Sequence, residues 1–395
     1  MRAWGRAGRR ARAGRVGAVA LALAAVASGV AQARPADPSA GSSRVLDADV
    51  RAVRAAGGGV NVLAESHTER GAARSRTGAG VPWDAQFRIA STSKTFTATV
   101  ALQLVAEGRL SLDDTVQKWL PGLVSGQGND GSKITVRDLL QQTSGLFDYV
   151  NDPSVIQAIS QDFEKHRLDA TPAEQWVALA LRHPPLFTPD HRHPRWAYSN
   201  TNYLLVGMII EKAGGLGWRE QIEHRIIAPL GLRHTYIPGA DPYLPGPHAS
   251  AVLDTPAGRV DVTEHSIQHT ADSGVVSTTA DLGTFFRALA GGKLLPKAQL
   301  AQMQHTVART GAEEDLAEWP QGGYGLGLRW VPLSCGGGYW HHEGDGLGSY
   351  TRTGVTPDGR RSVAVSVTSA GSLPKLPALN VATRKLVDDA LCGRR

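Results

Sequence analysis

The chain has 395 residues, 42 basic and 36 acidic, for a formal net charge of +6. Six arginines and no acid fall in residues 1–33, so the 362 residues that follow carry 36 of each sign and keep no surplus for nucleic acid, which needs a retained basic patch. Two cysteines stand alone, with no Cys-x-x-Cys and no His-Glu-x-x-His, so neither a structural nor a catalytic zinc is expected.

In chain order, Met1 to Arg15 is basic, Val16 to Ala31 is apolar and small, and Ala31-Gln32-Ala33 fits a small-x-small cleavage site. The apolar stretch is short for a membrane span. Residues 1–33 therefore read as a secretory signal peptide, leaving a secreted chain with no membrane attachment. Arg9-Arg10 leaves Sec and twin-arginine export both open. Residues 34–43 are rich in Pro, Ala, Ser and Gly and read as a linker, and residues 44–395 read as a single domain.

Leu46 to Ala56 has helical apolar spacing. Val60 to Ala64 reads as a buried strand that Gly71 to Thr77 pairs with. Phe87 to Ala90 is a short approach segment. Thr92 to Glu107 is a helix closed by Gly108, where a left-handed cap belongs. The stretch from about 110 to 265 is mostly helical. It contains a capping box at Thr135 to Asp138 and an apolar helix from Asn202 to Lys212 that ends at Gly214-Gly215. Thr279 to Ala290 is a further helix, with Asp281 in its first turn. Tyr324 to Trp330, Gly338 to His342, Tyr350 to Thr356 and Ser362 to Thr368 read as strands of one antiparallel sheet, with a hairpin turn at Asp358-Gly359. Ala378 to Leu391 closes as a helix. The fold class is therefore α+β. Its antiparallel sheet is built from about 44–92 and 270–395 and flanked by helices, with a mostly helical region inserted over about 93–269.

Ser91 and Lys94 are three residues apart at the head of a helix and share one face. A serine hydroxyl needs a neighbouring base, and a lysine serves only if burial or charge lowers its pKa. Ser372 and Lys375 repeat the spacing, but Pro374 between them opposes a helix. Tyr198-Ser199-Asn200 offers a proton-relaying hydroxyl and an amide that orients a substrate carbonyl. Tyr149-Val150-Asn151 repeats that pattern, and Tyr149 is expected on a cleft rim or in packing. His342-Glu343-Gly344 ends a strand whose backbone N–H groups can face an oxyanion, and Gly344 permits close approach. His341 is expected to face the other side as a structural residue. No Gly-x-Ser-x-Gly elbow occurs. In an oxidising compartment Cys335 and Cys392 are most simply a disulfide.

These motifs, in this order, resemble the serine β-lactamase-like and penicillin-binding family, in the branch of class C β-lactamases and exocellular D-Ala-D-Ala carboxypeptidases. Leu139 to Leu146, Tyr198 to Gly207, Ser273 to Phe286, Tyr324 to Leu328 and the settings of both cysteines carry the resemblance further. It implies that Ser91 is acylated and that Lys94 and Tyr198 share the acid/base work. It implies that Asn200 binds the substrate amide and that His342, on the strand lining the site, is a further catalytic residue. Backbone N–H groups of Ser91 and Asp345, beside Gly344, would form the oxyanion hole, and Arg329 would receive a terminal carboxylate. No cofactor or metal is implied.

The chain departs from that branch at Glu343 and Asp345, where small hydroxyl residues are usual, and at His269, where an aromatic usually walls the cleft. The leading expectation is a D-alanyl-D-alanine carboxypeptidase that acts on peptidoglycan-type peptides and is acylated covalently by β-lactams. The alternatives are an esterase, D-amino-acid amidase or weak β-lactamase on small esters and amides. A third is a catalytically silent penicillin-binding sensor module.

Overall fold

The computed structural model describes residues 44–69, 71–78, 80–255, 258–308, 322–371 and 376–394. The segments read as a signal peptide and a linker, and the Ser372/Lys375 decoy, lie outside these residues. Helix α1 (Arg44–Ala56) turns Leu46, Val50 and Val53 to one side and buries them. The chain then forms a hairpin of β1 (Asn61–Thr68) and β2 (Gly71–Thr77). A two-residue strand β3 (Phe87–Arg88) leads into a 3₁₀ turn at Ala90–Thr92 and helix α2 (Ser93–Ala106). The predicted helix from Thr92 is thus a 3₁₀ turn followed by an α-helix, and Ser91 sits in the turn.

The inserted region holds α3 (Val136–Gln141), α4 (Pro153–Ser160) and α5 (Asn200–Gly214). The capping box is present: the Thr135 hydroxyl accepts from the Asp138 N–H while the Asp138 carboxylate accepts from the Thr135 N–H. Gly215 closes α5 in the left-handed conformation. After β4 (Val276–Ser277), which pairs with β3, comes α6 (Thr279–Ala290), capped by Thr278 on Asp281.

The remaining strands are β5 (Val307–Ala308), β6 (Gly323–Tyr324), β7 (Arg329–Pro332), β8 (Gly338–His341), β9 (Gly344–Asp345), β10 (Ser349–Val355) and β11 (Ser362–Thr368). Helix α7 (Leu376–Cys392) follows them. The main sheet runs β2-β1-β11-β10-β8-β7-β6-β5, with β9 pairing β10. Every pairing in it is antiparallel, and both chain ends contribute strands.

The sheet is buried on both faces. Val363, Val365 and Val367 of β11 pack toward α1 and α7, whose Leu379, Leu386 and Leu391 share that cluster. Ala364 points the other way, into the large core with Phe285 and Phe286 of α6 and Phe96 of α2. Small residues on that face of β11 let α6 lie close, which is why the strand alternates Val with Ser or Ala. Each large apolar side chain so buried contributes roughly 1.5–3 kcal/mol before the entropy of ordering is counted.

One predicted strand divides. Residues 324–330 form not a single strand but β6 and β7, paired through a turn in which the Gly325 N–H donates to the Leu328 carbonyl. Gly327 has φ +74° and lies against α2, where a Cβ would come within 2.6 Å of Ala98 and 3.2 Å of the Lys94 carbonyl oxygen. The turn tip is therefore a packing contact on the helix that carries Lys94.

Cys335, in the β7–β8 turn, is disulfide-bonded to Cys392 at the end of α7, closing a loop of sequence separation 57. The chain-entropy estimate for such a loop is roughly 4 kcal/mol. Replacing both cysteines by serine is expected to lower unfolding free energy by about 2–4 kcal/mol in chemical denaturation. Unchanged stability would show that α7 is held by packing alone.

Candidate active site

The Arg88-to-Lys94 segment builds the centre. Ala90 is held at φ +45°, a left-handed conformation unfavourable for a residue with a side chain, and it bends the chain so that Ser91 alone of this segment is part-exposed. Strand β9 runs alongside. A Cβ on Gly344 would sit 2.0 Å from the Ile89 carbonyl oxygen, so only glycine allows the strand edge this close to the nucleophile's turn.

Lys94 is fully buried. Its Nζ lies 3.0 Å from Ser91 Oγ, 2.6 Å from Asn200 Oδ1 and 3.0 Å from the Asp272 carbonyl oxygen. Burial lowers its pKa to about 8, against the pull of the Asp272, Asp148 and Glu343 carboxylates. An amide oxygen and a peptide oxygen can only accept, so they take two N–H groups of the neutral amine. The lone pair then faces Ser91, whose hydroxyl is the one partner of the three able to donate. This is the geometry of a general base.

Tyr198 completes the group. Its hydroxyl is hydrogen-bonded to Ser91, and burial keeps it protonated, far above the usual tyrosine range. Lys94 Nζ lies 5.2 Å from the ring centroid of Tyr198. Asn200 opens α5 and links two titratable groups: its Oδ1 accepts from Lys94 and its Nδ2 donates to Asp148 at 2.9 Å. Burial pushes Asp148 up to about 6.

Asp148 and Asp272 were not found from the sequence. Neither belongs to a short motif, and each acts across a tertiary contact. Tyr149 lies where it was expected, in packing at the cleft wall. It is buried against Trp176, walls the cleft and donates from its hydroxyl to Asp272 Oδ2 at 3.2 Å. It therefore supports the residue whose carbonyl holds Lys94.

His342 is not among the groups that touch Ser91. Its ring is buried, its Nδ1–H donates to the Glu343 carbonyl at 2.6 Å, and its Nε2 accepts from the Tyr324 hydroxyl at 3.1 Å. Burial lowers its pKa to about 4, so the ring is neutral near pH 7. Its carbonyl accepts from Thr92 and Thr353, which ties the strand end to the nucleophile's turn. This is a positioning role. His341 is buried, and its Nδ1 lies 3.6 Å from a Glu343 oxygen.

Arg329 sits among the rings of Trp196, Tyr198 and Tyr324, 5.5–5.9 Å from their centroids. Its guanidinium is paired with Glu343 at 2.8 Å. Burial raises the Glu343 carboxyl, but Arg329 chiefly, with His342, His341 and Arg352, holds it well below the usual carboxylate range. Asp345 is paired instead with the buried Arg352.

Ser91 opens onto a cavity of about 440 Å³. Val150, Val155, Ile159, Trp176, Ile267 and Leu347 give it an apolar wall, and Asn200, Gln268 and Asp345 form polar parts of its rim. His269 is buried and outside this lining, so Ile267 and Gln268 stand where an aromatic wall was in question.

A serine activated by a buried lysine and a tyrosine, beside a strand edge, defines a serine hydrolase. Residues 44–388 match the beta-lactamase family, and the chain belongs to it. Among solved structures, a D-stereospecific amidohydrolase from Streptomyces is 40% identical, with a TM-score of 0.79 over 88% of this chain and 99% of that one. The D-amino acid amidase of Ochrobactrum anthropi, 24% identical with a TM-score of 0.73 over 88% of this chain and 97% of that one, shares the fold. A penicillin-binding protein of Bacillus subtilis is 34% identical over 151 residues, a match that spans 38% of this chain and 30% of that protein.

Replacing Lys94 by alanine or Tyr198 by phenylalanine is each expected to slow acylation of Ser91 by about two orders of magnitude. The double variant is expected to lose far less than the product, because the two groups move one proton. Stopped-flow acylation with a chromogenic β-lactam checks this, and full additivity would assign the two groups to separate steps.

Proposed function

We propose that the protein hydrolyses amides and esters of D-amino acids that carry an apolar side chain and a neutral leaving group, through an acyl-enzyme on Ser91. The observation that carries this reading is the Arg329–Glu343 pair at 2.8 Å. A carboxypeptidase must hold the free carboxylate of its substrate, and the guanidinium beside Tyr198 already holds an internal one. The apolar wall next to Ser91 and the likeness to the Streptomyces amidohydrolase support the same reading.

In this mechanism Lys94 takes the Ser91 proton as Oγ bonds to the substrate carbonyl. Backbone N–H groups of Ser91 and Asp345 receive the oxyanion. The proton passes through Tyr198 to the leaving amine or alcohol as its bond to the acyl carbon breaks. Water then bonds to the acyl carbon as the Lys94–Tyr198 pair takes its proton, the bond to Oγ breaks, and the pair returns that proton to Oγ, releasing the acid and regenerating Ser91. Asn200 holds Lys94 and contacts the substrate amide.

The D-alanyl-D-alanine carboxypeptidase on peptidoglycan-type peptides uses the same groups but would have to displace Glu343 from Arg329. β-Lactams fit either reading as covalent ligands of Ser91. A silent sensor module has no need of the Ser91–Lys94–Tyr198 set. The basic, then apolar, N-terminus supports export, and no described helix is long and apolar enough to cross a membrane.

D-Phenylalanine amide and methyl ester are expected to have higher kcat/KM than the free-acid dipeptide D-Phe-D-Ala. Replacing Glu343 by threonine is expected to raise the free acid relative to the ester by about tenfold or more, since about 1.4 kcal/mol is enough for that ratio. A strong preference for the free acid, unmoved by the substitution, would restore the carboxypeptidase reading.

A further inference from the structure

We infer that the carboxylate of Asp345 receives the α-ammonium group of the substrate, making a free amino terminus a condition of good turnover. The inference deepens the proposed reaction and rests on it.

Three acids line the cavity, and they are not equivalent. Asp272 is buried, with one oxygen accepting from Thr270 and the other from Tyr149. Asp169 lies in the loop after the 163–166 helix, where one oxygen accepts from His166 at 2.7 Å, and it is not on the strand that borders Ser91. Asp345 stands on β9, the strand that borders the Ser91 turn, and its side chain is 37% exposed. Arg352, itself buried and tied to Asn380, donates to its Oδ1. Among the described residues, Oδ2 accepts no hydrogen bond. A part-exposed carboxylate fixed through one oxygen, at the rim of a cavity with an apolar wall, is preorganised for a cation.

The placement suits one in particular. In an aminoacyl substrate the ammonium nitrogen is two bonds from the carbonyl carbon that Ser91 attacks. The proposed oxyanion donor is the backbone N–H of the same residue, Asp345, so an acyl group bound there brings its α-nitrogen beside that side chain. The apolar wall takes the substrate side chain. Carbonyl, ammonium and side chain then occupy three separate places around one α-carbon. Inverting that carbon puts a charge on the apolar wall or a hydrocarbon on Asp345, which gives a physical cause for stereospecificity.

The test compares three N-terminal forms of one substrate on the full wild-type enzyme: D-phenylalanine methyl ester, its N-acetyl derivative and the α-hydroxy analogue. The free amine is expected to lead both others by about tenfold or more in kcat/KM, the size of losing a charged hydrogen bond. In Asp345→Asn the lead of the free-amine substrate over the other two is expected to shrink by about tenfold, mainly through its KM. Equal wild-type rates on all three forms would overturn the inference. So would an Asp345→Asn variant slowed equally on all three, which is the signature of a disturbed strand. The wild-type arm decides alone if that variant does not fold. The same forms run as amides and free-acid dipeptides keep the two readings apart. Superior free-acid peptides would sink the neutral-leaving-group reading, and the amine preference would still be measured within each series.

Discussion

The amine of Lys94 is taken out of water and given two oxygens that can only accept, with the Ser91 hydroxyl as its third neighbour. A buried ammonium is costly unless a carboxylate meets it directly, and here none does within the amine's hydrogen bonds. The nearby acids act at one remove: Asp148 through the Asn200 amide, Asp272 through its peptide carbonyl. A direct carboxylate would have locked the lysine in its charged form, whereas neutral acceptors hold its position and still leave it able to lose the proton. Much of the surrounding fold serves this arrangement. Helix α5 delivers Asn200, the tip at Gly327 packs against the Lys94 backbone, and the Thr92 and Thr353 hydroxyls fasten the strand end at His342 to the nucleophile's turn.

A second constraint shapes what the site accepts. Two arginines beside the strand edge are each neutralised from within the chain, Arg329 by Glu343 and Arg352 by Asp345. The first pair is nearly closed to solvent and removes a cation from the reach of substrate. The second leaves one carboxylate oxygen at the cavity rim. Two acids that look alike in Glu343-Gly344-Asp345 therefore have opposite consequences: one cancels the attraction for a carboxylate, the other offers attraction to an ammonium.

What the sequence made legible was local. The three-residue spacing of Ser91 and Lys94, the capping box at Thr135 and the alternation in residues 362–368 each depend on neighbours in the chain, and each is present in the structure. The contacts that complete the site join residues far apart. Lys94 meets the Asp272 carbonyl across a separation of 178 residues, and a backbone carbonyl leaves no trace in side-chain identity. The split of residues 324–330 into two strands follows from Gly327 meeting α2, a packing event the apolar pattern does not encode. His342 looked catalytic because it ends a strand beside a glycine. Its burial against Tyr324 and the Glu343 carbonyl engages both ring nitrogens away from Ser91, a tertiary arrangement that the motif does not encode.

The surroundings of Lys94 make its amine able to lose its proton near the working pH rather than holding it as a permanent cation. NMR titration of the protein with ¹³C-labelled lysine, with the Lys94 resonance assigned by its loss in Lys94→Arg, measures this directly. A midpoint near 8 is expected for Lys94, while an ordinary lysine titrates near 10.5. A midpoint at or above the ordinary value would mean that the amine stays charged throughout the working range, and the assignment of Lys94 as the base for Ser91 would fall.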